Sequence, residues 1–346
     1  MLRYLTAGES HGRGLLAVLE GIPAGLKIKV NRINQEMRRR QQGYGRGERM
    51  QIERDKVEIL SGLKNSLTLG SPIGILIKNK DFKIERLPSV ISPRPGHADL
   101  AGLLKYGFVD IRCVLERASA RETAARVAIG AICKIFLEQF RIRITSRVLE
   151  IGGRKNVTQI KKIIDQARIN KDTVGGIFEV KAKGVVAGLG SYTQSDRRLD
   201  GNLTQTIASI PGIKAVELGL GFGYADKLGS GVHDAVYYSK ARGFFRKTNN
   251  SGGIEGGISN GEDIVLRACM KPISTLLAPL DSVNIKTKKK AKASIERSDI
   301  CVVEAAGVVS EAAVAVELAR AFLDKFGSDS LRDIKASYQR YLKRIS

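Results

Sequence analysis

A chain of 346 residues that is 43% hydrophobic can bury a large core, as one big domain or two smaller ones. No run approaches the roughly 18 unbroken apolar residues of a membrane span, and the opening MLRYLTAGESHG carries no signal-peptide core. A formal net charge of +23 favours anionic partners, but 5% aromatics and no tryptophan leave few stacking platforms for nucleic acid, which is not expected as a partner.

Residues 2–7 and 15–22 read as strands joined through the tight turn GESHGRG. Asn31 is placed to cap a helix running to about Gln42. VEILSG and SPIGILIKN (57–79) read as a hairpin or meander, and HADLAGLLKYG opens a short helix. In 119–140 the spacing of Ala124, Val127, Ala128, Ala131, Ile132 and Ile135 predicts a long helix. Ser119 followed by Glu122 is a capping-box pair, so the strand-like segment ahead ends near Ser119. Strands near 142–151 and 177–187 flank the helix TQIKKIIDQAR, and a helix at 199–210 closes on Pro211-Gly212. Strands at 215–221 and 262–272 lead to a second long helix at 310–326. Its end, AFLDKF, resembles IFLEQF of the first, which suggests a duplicated half. Small residues along both predict helices packed closely in the centre with strands outside, hence one α+β domain over 1–346. The C-terminal LRDIKASYQRYLKRI reads as a packed, basic amphipathic helix.

Glycine-containing strings next to a reactive side chain mark places where backbone approaches a ligand closely. GESHG sets His11 on a turn where Glu9 and Ser10 can orient its ring; a histidine that merely steadies the turn is the plain alternative. RPGHAD sets His97 at a helix start, where it is either an acid–base group or a capping residue. In ERASARET, Arg117 and Arg121 flank a helix N-terminus suited to phosphate or carboxylate. GGIEGGISNG fits neither common phosphate-loop pattern. KPIST offers Lys271, Ser274 and Thr275 to an oxyanion, and ERSDIC offers Arg297 and Asp299, which otherwise form an exposed turn. The lysine run 286–292 reads as a solvated loop. Cys113, Cys133, Cys269 and Cys301 are far apart and read as reduced thiols of a cytoplasmic protein, and with three histidines no metal site is expected.

Taken in order, GESHG, RRRQQGYGRG, RPGHAD, KYGFVDIRCVLERASARETAARVAIGA, GGIEGGISNG, KPIST and ERSDIC resemble the chorismate synthase family along essentially the whole chain. The resemblance implies long helices sandwiched between antiparallel sheets, assembled as a homotetramer. It implies a 1,4-anti elimination of phosphate and the C6 hydrogen from 5-enolpyruvylshikimate-3-phosphate, dependent on reduced FMN without net redox change. By similarity, Arg40, Arg49, Arg121 and Arg297 hold substrate, and Arg40 with Arg46 matches positions associated with NADP. The flavin contacts carried over are Arg117, Ala118, Ser119, Pro211, Gly212, Gly256, Lys271, Pro272, Ile273, Ser274, Thr275 and Arg297. His11 is assigned to the departing phosphate, His97 to the flavin N1 side, and Asp299 to removal of the C6 hydrogen. No reductase domain is evident, so NADPH would act through an external flavin reductase. The chain departs from family patterns at Ser298, Glu304 and Asn250-Ser251. His233 lies in a variable stretch and is expected to serve the surface.

Overall fold

The computed structural model describes residues 1–47, 54–296 and 298–345. Two four-stranded antiparallel sheets enclose a helical layer. The first sheet holds β1 (Arg3–Ala7), β2 (Gly14–Glu20), β3 (Val57–Ile59) and β6 (Ile73–Lys78), in the order β1-β2-β6-β3. The small hairpin β4 (Leu63–Lys64) and β5 (Leu67–Thr68) interrupts it. The second holds β7 (Arg143–Ile151), β8 (Gly176–Lys183), β9 (Ile213–Leu218) and β14 (Ile264–Met270), in the order β7-β8-β14-β9. Strand alternation explains the burial: Leu15, Ala17 and Leu19 of β2 and Ile73, Ile75 and Ile77 of β6 face inward, as do Ile264, Leu266 and Ala268 of β14.

The helices are α1 (Val30–Gln41), α2 (Asp99–Tyr106), α3 (Arg112–Ala118), α4 (Thr123–Glu138), α5 (Val157–Ile169), α6 (Leu199–Ala208), the single turn α7 (Gly229–Val232), α8 (Val303–Phe326) and α9 (Leu331–Ile345). α4 lies on the first sheet and α8 on the second, packed against each other. Their contact is backbone-close because Gly130 faces Ala312: a Cβ at Gly130 would stand 2.3 Å from the Ala312 Cβ. Where the helices end, Phe136, Phe140, Phe322 and Phe326 pack with Tyr338 of α9, the closest rings being Phe140 and Phe322 at 4.2 Å between centroids. Each such buried side chain stabilises the fold by about 1.5–3 kcal/mol. The likeness of IFLEQF to AFLDKF is therefore a shared packing role, and α9 is packed as expected.

The topology repeats. In each half two strands, a helix, two further strands and a long helix follow one another, with the fourth strand inserted between the second and third: β1, β2, α1, β3, β6, α4, then β7, β8, α6, β9, β14, α8. The remaining short strands β10 (Val236–Ser239), β11 (Gly243–Arg246), β12 (Ile254–Glu255), β13 (Ile258–Ser259), β15 (Asp281–Val283) and β16 (Lys290–Lys292) form three hairpins of the second half. The lysine run forms the tip and returning strand of the β15–β16 hairpin.

Several local expectations are corrected. α1 starts one residue before Asn31, and its cap position, Lys29, makes no side-chain capping bond. The segment before Ser119 is helix α3, because Val114 and Leu115 face a satellite core with Val90, Leu103 and Ile111. Ser119 does cap, accepting the Arg121 N–H, but it caps a 3-10 turn at Ala120–Glu122, and Glu122 turns away to Arg126. α8 starts seven residues before Ser310, since the polar Ser310-Glu311 pair is interior. Glu311 is enclosed by Arg39 at 2.7 Å, Lys134 at 2.5 Å and Ser146 at 2.6 Å.

Candidate active site

The β1–β2 turn places His11 beside the last turn of α3. The buried Glu116 carboxylate accepts from the His11 backbone N–H at 2.8 Å and lies 3.0 Å from Nδ1. Burial pushes the Glu116 carboxyl up, but the hydrogen bonds from His11 outweigh it and hold the group below its ordinary value. An ionised carboxylate only accepts, so Nδ1 carries the proton and Nε2 faces away from Glu116. The expected orienting groups were Glu9 and Ser10; the orienting group is Glu116, more than a hundred residues away. The turn is fixed from the other side by Asn79, whose amide donates to the carbonyls of Glu9, Ser10 and Gly12.

A second histidine–carboxylate pair lies at the start of α2. His97 Nδ1 is 2.5 Å from Asp99, which also accepts from the Arg94 side chain and backbone N–H. Burial raises the Asp99 carboxyl, yet the bonds from His97 and Arg94 hold it well below the usual carboxylate range. Arg94 reaches on to Thr275 Oγ1 at 2.8 Å, while Lys271 Nζ and Ser274 Oγ donate to the Gly96 carbonyl. RPGHAD and KPIST are thereby joined. Burial and the neighbouring Lys214 both lower the Lys271 ammonium.

Between the end of α1 and the start of α4 sits a buried arginine cluster. Arg121 grips Asp55 with Nη1 at 2.6 and 2.7 Å and Asn79 through Nε and Nη2. Arg40 donates to Thr123 Oγ1 and the Ala120 carbonyl, but its Nη1 stands 3.5 Å from Asp55 without a hydrogen-bond acceptor among the described residues. Burial, opposed by Asp55 and aided by Arg121 and Arg46, pushes the Arg40 guanidinium down to about 10. Arg46 Nη1 pairs with Asp299 at 3.3 Å and its Nε likewise lacks an acceptor. Asp299 also accepts the Gly47 N–H at 2.5 Å. A buried guanidinium with an unused N–H is costly unless an anion completes it. The cluster therefore calls for an anionic ligand, and through Asn79 it adjoins the His11 turn.

The comparisons agree with that chemistry. A family model described as chorismate synthase matches residues 2–323. A chorismate synthase of Thermoanaerobacter pseudethanolicus is 55% identical over 344 residues, spanning 99% of this chain and 98% of the relative. One of Caldanaerobacter subterraneus subsp. tengcongensis is 54% identical, spanning 99% of each. A crystal structure of chorismate synthase superposes with a TM-score of 0.83 at 41% identity, covering 99% of this chain and 98% of the other. The chain belongs to the chorismate synthase family. It is accordingly a carbon–oxygen lyase that eliminates phosphate from 5-enolpyruvylshikimate-3-phosphate to form chorismate.

The remaining residues expected from chorismate synthase resemblance fall in three places. Arg117 is exposed and donates to the Thr6 and Gly8 carbonyls at the end of β1, with Ala118 and Ser119 beside it; Ser119 Oγ is 3.2 Å from Ser10 Oγ. Pro211-Gly212 follows α6, where the Gly212 carbonyl accepts the Lys271 N–H at 3.0 Å, so it adjoins Pro272 and Ile273 of the KPIST segment. Gly256 is at the β12–β13 turn, whose contacts run to Gly190, Ser191 and Arg198 rather than to either histidine. Arg49 and Arg297 lie outside the described residues. Asn250 and Ser251 donate their backbone N–H groups to Asp234 at 2.8 Å, which fixes that loop without a basic residue. His233 is exposed, as expected. Sequence reasoning missed Glu116, Asp99, Asn79, Asp55 and Arg94. Glu116, Asn79 and Asp55 meet partners distant in sequence, so spacing gives no sign of them, whereas Arg94 and Asp99 pair with each other and with His97 inside RPGHAD.

Proposed function

We propose that the elimination runs in the pocket between His11, His97 and the Arg40–Arg46–Arg121 cluster. The observation that carries this reading is the pair of buried guanidinium N–H groups, Arg40 Nη1 and Arg46 Nε, that lack acceptors among the described residues. A substrate with two carboxylates and a phosphate supplies such acceptors, and fixed guanidinium groups stabilise anions without reorganising. Arg40 and Arg46 bind the substrate directly, as Arg49 and Arg297 do by resemblance. Arg121 adds positive potential while bracing the His11 turn through Asn79. His11, with Nδ1 on Glu116, donates the Nε2 proton to the departing phosphate oxygen. Asp299, anchored by Arg46 and Gly47, stands as the base toward C6.

The donor set also fits reduced FMN. Lys271 is half-buried, its ammonium lowered by burial and by the charge of the exposed Lys214, a setting that an anion would relieve, and Ser274, Thr275 and Ser119 add hydroxyls. A bound reduced flavin would supply electron density to the breaking bond and accept the C6 hydrogen, with Asp299 assisting as base. Arg117, Ala118, Pro211, Gly212, Gly256, Pro272 and Ile273 complete the cofactor contacts by resemblance, and His97 holds its proton toward the flavin. NADPH, placed by resemblance at Arg40 and Arg46, acts as the source of reducing power through a separate flavin reductase in the cytoplasm. One catalytic domain spans the chain and assembles as a homotetramer. The outer face of the first sheet suits such contacts, with Leu5, Leu16 and Val18 exposed by 78%, 47% and 45%.

Anaerobic turnover of 5-enolpyruvylshikimate-3-phosphate with dithionite-reduced FMN tests the proposal. Phosphate release should continue for many turnovers per reductant consumed; one reductant oxidised per product would mark an oxidoreductase instead. NADPH with oxidised FMN should give no product until a flavin reductase is added.

A further inference from the structure

The two histidines share a geometry but differ in what else their carboxylates hold. Each ring rests through Nδ1 on a carboxylate that is almost wholly buried, with 2% of the Glu116 side chain exposed and none of Asp99. Asp99 is matched by Arg94, which grips it with two side-chain nitrogens and a backbone N–H, so the pair carries no net charge. Among the described residues Glu116 is met by Arg112 at 3.6 Å, and Arg112 turns its other nitrogen to Glu296 at 3.0 Å. Glu116 also makes two bonds to one residue, Nδ1 and the backbone N–H of His11, while its own carbonyl accepts the Ser10 N–H at 3.0 Å.

We infer that Glu116 is the positioning residue for His11: its two bonds to that one residue hold the turn and the Nδ1–H tautomer and present Nε2 away from the carboxylate, whereas Asp99 is shared between His97 and Arg94. This rests on the reading of His11 as the acid for the departing phosphate.

Glu116→Gln keeps the size of the side chain and removes its charge, and Glu116→Asp keeps the charge at a shorter reach. With saturating reduced FMN, Glu116→Gln should lower kcat by about 10²–10⁴-fold with little change in KM. Glu116→Asp should lose less. Nitrogen NMR of His11 in the same variants, without turnover, should show Nδ1–H persisting in Glu116→Asp and lost or mixed in Glu116→Gln. Corresponding charge removal at Asp99→Asn should leave the His11 tautomer unaltered. A Glu116→Gln protein with wild-type kcat and an unaltered His11 tautomer overturns the inference. If His11→Ala remains active, the reading of His11 as the acid fails, and the NMR result alone then decides whether Glu116 orients the ring.

Discussion

The two halves of the molecule share a chain path but differ in their strand connections, and the difference locates the chemistry. In the first half the first two strands are joined by the short turn that holds His11; in the second the same connection is filled by the helix α5. The connections from the fourth strand to the long helix are long in both halves. The first carries Arg94, His97, Glu116 and Arg121, the second Lys271, Ser274, Thr275 and Asp299, and the two meet through Arg94–Thr275 and Lys271–Gly96. ERASARET and ERSDIC precede the long helices at equivalent places, and Arg112 touches the leading glutamate of both, Glu116 and Glu296. The repeat therefore supplies two similar arms, and the site forms where they converge, with one acid turn contributed by the first half alone.

Breaking the catalytic side of that contrast should have the largest effect. His11→Ala and His97→Ala are each expected to reduce turnover by roughly 10²–10⁴, with the circular dichroism and melting transition retained. Near-wild-type turnover in either variant under reducing conditions would remove that histidine from the mechanism. His233→Ala, on an exposed second-half segment, should leave turnover unaltered. Next comes the interior charge of the first half. Asp55→Ala leaves Arg40 and Arg121 buried without their carboxylate, a change that typically costs about 3–5 kcal/mol, read from urea denaturation. A loss below about 1 kcal/mol would show that the arginines find other acceptors.

Acid titration reaches the contact between halves as well as the site. Burial raises the Glu311 carboxyl, but Arg39 and Lys134 bring it below its ordinary 4.5, and Glu116 is depressed from the same value through His11. For a depressed carboxylate the stabilisation is fully present above the unfolded value and is lost as pH falls through the folded one. Stability should thus be flat with respect to these groups above about pH 5 and decline below it, by about 1.4 kcal/mol per unit of depression. Glu311→Gln should flatten part of that decline. An unchanged acid profile in this variant would mean that the Arg39–Glu311–Lys134 set contributes nothing to folding.

Helix periodicity and strand alternation made the layers legible, because α4, α8, β2 and β14 bury residues at regular intervals. Glycine next to a reactive residue made the strings legible, because close backbone approach requires it. What stayed hidden was set by contacts between residues distant in sequence. Ser310 looked like a helix start because a polar pair is seldom interior, and here Arg39, Lys134 and Ser146, from α1, α4 and β7, enclose Glu311. The segment before Ser119 looked extended because its apolar residues face a satellite core under α2. Glu116 read as part of an arginine string because its partner, His11, lies at the other end of the half. The partners of Arg121, Asp55 and Asn79, come from segments far from ERASARET, so its place at a helix start gave no sign of them.

The outer faces of the sheets carry the contrast between halves to the surface. The first shows Leu5, Leu16 and Val18, matched across β1 and β2. The second shows a charge ladder in which Arg147 meets Glu179 at 2.8 Å and Arg267 meets Glu217 at 3.1 Å. Leu16→Glu should reduce the assembled mass in sedimentation without unfolding the protomer, since the side chain is already half exposed. An unaltered mass would place the subunit contact elsewhere. Arg147→Ala is the smallest perturbation. Its guanidinium is 68% exposed, so the ion pair is screened by solvent and contributes within about 0.5 kcal/mol, even though Glu179 is largely covered. A melting shift larger than that, with no change in mass, would show that the ladder stabilises the protomer; a change in mass would make the second sheet a subunit contact too, and the halves would then differ in chemistry but not in assembly.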